Sequence, residues 1–124
     1  MYHVEDEVAR MINRKLSSVR LTDNRGRVVF EFQDGHVQTF GVEGDCCSHS
    51  WIEHLELPGD IAGAELMSVE ESGGVEMESS SEYECLQVYN VRFRTNRGDI
   101  VLEFRNSSNG YYGGYLVPIA PGTA

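Results

Sequence analysis

The stretch Asp45-Cys-Cys-Ser-His-Ser-Trp-Ile-Glu-His54 holds the densest set of reactive side chains in the chain. Cys46 or Cys47 is a nucleophile candidate, with His49 as its base and an acid such as Glu53 to orient the imidazole. That chemistry needs adjacency in space, which local spacing does not supply. Cys46, His49 and Glu53 also fall at i, i+3 and i+7 and would share one face of a helix, where they could hold a metal ion. His49 and His54 are five apart, about 140° around a helix, so they do not make the i, i+4 pair of a zincin. No second ligand pair appears elsewhere, and Cys85 stands alone. The competing reading treats the cysteines as small apolar packing residues, with Ser50 capping a helix that Trp51, Ile52 and Leu55 anchor to a sheet. The expectation is no catalytic residue, no cofactor and no metal. The alternative is a small enzyme or metal/ligand-binding domain built on Cys46, Cys47, His49 and Glu53.

A second constellation, Tyr111-Tyr-Gly-Gly-Tyr115, would form an aromatic platform if its glycines let a planar ligand approach a strand. Tyrosine and bend-forming glycine are equally ordinary strand residues. No GxGxxG fingerprint or phosphate loop accompanies them.

The charge distribution is more specific. No Lys or Arg occurs between Val28 and Val91, a stretch holding fourteen carboxylates, so the middle carries −14 and the flanks +4 of a net −10. Seven of those acids, Glu65, Glu70, Glu71, Glu76, Glu78, Glu82 and Glu84, cluster with intervening serines. A charge run is usually a solvated face, but ordinary surfaces intersperse both signs. Such a field repels nucleic acid and anionic membrane and attracts basic protein surfaces.

These residues must be positioned by a chain of 124 residues, one domain (1–124) by length, with globular composition and twelve aromatics. No apolar run approaches a membrane span, no secretory signal opens the chain, and three cysteines make no disulfide framework, so a cytoplasmic protein is expected. Residues 19–32, VRLTDNRGRVVFEF, align without a gap on 91–104, VRFRTNRGDIVLEF, with eight identities in fourteen positions. Extended, the repeat covers 19–42 and 91–114. Asn-Arg-Gly is a short turn, and the segment after it alternates, Val28, Phe30 and Phe32 against Val29 and Glu31. Each hairpin continues into a third strand, near 36–42 and 111–117, the last ended by Pro118 and Pro121.

The apolar stripe Val4, Val8, Met11, Ile12 and Leu16 predicts an N-terminal helix, its acids at the start and bases at the end. Ser50-Trp-Ile-Glu53 matches a capping box and predicts a short central helix that Pro58 stops. Glu65–Glu71 reads as a strand, Gly73-Gly74 as a turn, and Tyr83–Phe93 as a long strand. The expected fold is α+β: a mostly antiparallel sheet of two repeated three-stranded meanders, with an N-terminal and a short central helix.

The stretches Glu43–His54 and Asp99–Gly114 resemble a family of small domains of unknown function found in bacteriophages and bacteria. The resemblance spans roughly the meander-to-meander region and omits the N-terminal helix and the tail. It implies a phage or mobile-element setting, in which small acidic proteins often inhibit host defence or host enzymes, anti-CRISPR proteins and DNA mimics among them. The resulting expectation is a non-enzymatic module whose seven clustered glutamates bind a basic surface of a host nucleic-acid-handling or defence complex. Direct contact with nucleic acid or membrane is not expected; a homodimer is compatible.

Overall fold

In the computed structural model the described residues are 4–22, 24–44, 48–77, 85–108 and 113–120, with backbone alone at 74–77 and 85. One helix, α1 (Glu5–Met11), precedes eight strands: β1 (Leu16–Leu21), β2 (Arg27–Phe32), β3 (Val37–Gly44), β4 (His49–Glu56), β5 (Leu66–Met77), β6 (Cys85–Thr95), β7 (Gly98–Ser108) and β8 (Gly114–Ile119). They form two four-stranded sheets, ordered β1-β2-β3-β8 and β4-β7-β6-β5, with every pairing antiparallel.

The expected α+β fold of two three-stranded meanders with a central helix is therefore wrong; the fold is mostly β. The duplicated sequence builds one hairpin in each sheet, and the two share a register. Val19 faces Phe30 as Val91 faces Leu102, each partner displaced by the same 72 positions. Beyond the hairpins the copies diverge. After β3 the chain crosses sheets, and β4 takes the free flank of β7. With that flank occupied, β8 pairs with β3 in the first sheet. Sequence identity between copies cannot reveal such a crossing, because it fixes the strand but not its neighbour.

The central helix fails for a local reason. Ile52 is buried between half-exposed Trp51 and exposed Glu53, and the segment pairs along its length with β7 as strand β4, with a register shift between Ile52 and His54. The four-residue capping signature is outweighed by that ladder. Pro118 does not end the last strand either; it lies inside β8, a sheet-edge strand where its missing N–H is tolerated. Gly73, read as part of a turn, sits at a register shift within β5. Helix α1 is shorter than expected, ending at Met11, while Leu16 opens β1.

The inner faces of both sheets share one core. Val28, Phe30 and Phe32 meet Val91, Phe93, Ile100, Leu102 and Phe104, with Val4, Val8 and Met11 of α1 joining them. Phe93 bridges the sheets, its ring 4.6 Å from Phe30 and 6.4 Å from Phe40. One seam between the sheets is stitched by backbone bonds, Leu16 N–H to Ala64 O at 2.7 Å and Asn13 N–H to Leu66 O at 2.8 Å.

Candidate functional site

At one end of the molecule several strand termini converge. His49 pairs with Ser107, Ser107 with Leu86 and Leu86 with Met77, so the ends of β4, β7, β6 and β5 form a row. The first sheet reaches the same place through Gly44 and Gly114, which face each other across β3 and β8. Both lie against the second sheet. A Cβ on Gly44 would stand 2.8 Å from Asn106 Oδ1, and one on Gly114 would stand 2.6 Å from Ser50 Oγ. Only glycine allows so close an approach.

A buried polar arrangement holds this end. Asn106 is fully buried, and its Oδ1 accepts from Ser50 Oγ at 2.7 Å. The Tyr89 hydroxyl accepts from Gly114 N–H at 3.2 Å and donates to Gln87 Oε1 at 3.1 Å. Its ring stacks on Phe104 at 5.0 Å and 6°. Satisfied buried networks of this kind fix a unique geometry.

The described residues at this end, 43–44, 48–50, 73–77, 85–90, 106–108 and 113–117, include two carboxylates, Glu43 and Glu76, and no Lys or Arg. The adjoining sequence, 45–47 and 78–84, adds Asp45, Glu78, Glu82 and Glu84, again with no Lys or Arg, and these four lie outside the described residues. Glu76 is on β5, opposite Gln87.

The other acids of the sequence cluster have a different environment. Glu70 accepts from Arg94 Nη2 at 3.0 Å. Glu71 is half-buried on β5 opposite buried Val91, and Glu65 is half-buried at a bridge to Lys15. The arginines missing from the middle of the sequence arrive from the second hairpin. Arg92 meets Asp99 at 2.9 Å, and Arg105 meets Glu103 at 2.9 Å and Glu53 at 3.8 Å. Sequence reasoning missed these partners; reading 66–77 and 85–95 as one long hairpin would have set Glu70 beside Arg92 and Arg94.

The reactive segment is dispersed along a strand. Cys46 and Cys47 lie outside the described residues, as do Tyr111 and Tyr112. His49, Trp51 and Glu53 follow at every second residue of β4. The His49 ring stacks on Trp51 at 5.4 Å, and Trp51 Nε1 donates to Glu53 Oε2 at 2.8 Å. With β4 extended, the i, i+3, i+7 helical face proposed for Cys46, His49 and Glu53 does not exist. Among the described residues no group of three or more His, Cys, Asp or Glu is placed to hold a metal ion. Tyr115 lies on β8, paired with Glu43.

At the far end of β3, two groups titrate away from their ordinary values. Asp34 is held below 3.8, first by the hydrogen bond from His36 N–H and also by Arg14. His36 is held below 6.5, first by burial and then by the positive charge of Arg14.

Comparison with known proteins places the chain in context. The family described as Domain of unknown function (DUF7448) matches residues 9–117. An uncharacterized protein of Acanthamoeba polyphaga mimivirus is 30% identical over 119 residues, covering 91% of this chain and 93% of that protein. No solved structure matches. Among the described residues no helix is long and apolar enough to cross a membrane.

Proposed function

Since the chain belongs to the family described as Domain of unknown function (DUF7448), we propose its role from its surface. It is a non-enzymatic acidic module that binds a basic protein surface through the base-free end of its sheets. The observation that carries this reading is the segregation of charge. Arginines on β6 and β7 meet acids of the second sheet, whereas the described residues at the Gly44–Gly114 end include Glu43 and Glu76 and no Lys or Arg. The adjoining sequence adds Asp45, Glu78, Glu82 and Glu84 without a base. Uncompensated carboxylates steer association with Lys/Arg surfaces and occupy positions where phosphates would otherwise sit. The contact residues are Glu76, Glu78, Glu82 and Glu84. Glu70 of the same cluster is paired with Arg94, with Glu71 beside it on β5 and Glu65 just before that strand.

The setting we propose is a viral or mobile-element inhibitor of a host nucleic-acid-handling or defence complex, of the anti-CRISPR or DNA-mimic type. A relative from a virus supports that setting. The experiment is a pull-down from host lysate at low and high salt, repeated with Glu76, Glu78, Glu82 and Glu84 changed to lysine. The reading expects a partner retained at low salt, released at high salt and lost in the variant. Binding that ignores the four substitutions contradicts it.

A further inference from the structure

A cleft of about 640 Å³ opens at the opposite end of the first sheet, between α1, the β2–β3 turn and the end of β8. Its volume falls within the range of small-molecule sites, roughly 300–1,000 Å³. One wall is apolar: Val37, 49% exposed, stands beside Pro118 and Ile119. The other carries Arg10, whose side chain is 58% exposed and, among the described residues, meets Glu7 at 3.5 Å. Between them lies His36, whose Nε2 is buried and has no hydrogen-bond partner among the described residues. A buried ring nitrogen without a partner is costly, and a ligand atom would satisfy it.

The charges around the imidazole indicate what kind of ligand fits. Asp34 is already engaged, accepting from His36 N–H at 3.0 Å and pairing with Arg14. Burial first, then Arg14 and Arg10, pull His36 below its ordinary value, and Asp34 opposes them. The ring is therefore neutral at neutral pH and able to donate from Nε2 beside a guanidinium. Glu7 on the same wall, and the net charge of −10, disfavour a multiply charged anion.

We propose that this cleft binds a small organic carboxylate, its charged group between Arg10 and the His36 Nε2 and its apolar body against Val37, Pro118 and Ile119. The site is separate from the acidic end and stands or falls independently of the role proposed above.

Benzoate is a suitable probe, titrated at constant ionic strength and followed by the NMR signals of the His36 ring and the Val37 and Ile119 methyls. Saturable shifts are expected at those positions and not at Leu57 or Met67, which are exposed but outside the cleft. Bound benzoate should also move the His36 titration to higher pH, because a nearby anion favours the imidazolium. Arg10→Ala, at an exposed position that leaves the fold intact, should raise the Kd about tenfold or more. His36→Phe, which keeps a ring but removes the polar atom, should do likewise. Benzyl alcohol binding as tightly as benzoate would overturn the anion part of the proposal. Inorganic phosphate binding as tightly would overturn the apolar part. No saturable shift with benzoate means there is no site.

Discussion

Arg94 reaches diagonally across the β5–β6 ladder and places Nη2 3.0 Å from Glu70 Oε2, while Arg92 lies directly opposite Glu70. Two residues separated by 24 positions in sequence thus neutralise part of a region that reads as uniformly acidic. Farther along the same ladder, Glu76 lies opposite Gln87 and has no arginine across from it. Glu70→Lys should therefore leave partner capture close to wild type. Both side chains are about half exposed, so the stability change should be no more than about 1 kcal/mol. Denaturant midpoints together with the pull-down check both statements.

Phe93 is the ring on which the two sheets meet, fully buried between Phe30 and Phe40. Phe93→Ala should destabilise by about 3–5 kcal/mol, the range for removing a buried aromatic. Urea unfolding of the variant and the wild type provides the comparison, read at equal m-value.

Gly114→Ala should destabilise by about 1–3 kcal/mol through overpacking, because its Cβ would sit 2.6 Å from Ser50 Oγ and 3.1 Å from Asn106 Cβ. Removing the hydroxyl as well, in Gly114→Ala/Ser50→Ala, should recover part of that loss. The two substitutions should then be non-additive in a double-mutant cycle. Strict additivity would mean that the close approach has no energetic consequence.

Stability should fall on acidification in two steps of the same sign. His36 binds its proton less readily in the folded state than in the unfolded chain. Its contribution is complete above 6.5 and is lost as pH falls through the lower folded value. Asp34 behaves in the same way below 3.8. Unfolding midpoints measured from neutral to acid pH should show the first step in the wild type and not in His36→Phe.

The repeated hairpins and their register could be read from the sequence because an alternating pattern around Asn-Arg-Gly carries both strands and turn. In the second copy the turn is Asn96-Arg97, closed by Gly98 at φ 118°. What could not be read was which strand lies beside each hairpin. β4, expected to be a helix, takes the flank of β7 that a second meander would give to β8, and β8 lies on β3 instead; nothing in Trp51–Glu53 or Gly114–Val117 encodes the partner sheet. The same gap distorted the site. With β5 and β6 unpaired on paper, Glu70 had no visible counter-charge, and a strand segment ending in Glu53 looked like a capped helix with a ligand face. The cleft at His36 had no sequence signal, since its walls come from α1, β3 and β8.

The most direct test of the acidic-module account is capture by the fourfold variant Glu76→Lys/Glu78→Lys/Glu82→Lys/Glu84→Lys beside Glu70→Lys, at low and high salt, with duplex DNA as competitor. The account predicts that the wild type and Glu70→Lys retain the same basic protein at low salt. Duplex DNA and high salt should each displace it, and the fourfold variant should retain none. Equal retention by the fourfold variant, or a retained partner indifferent to both salt and DNA, would contradict it.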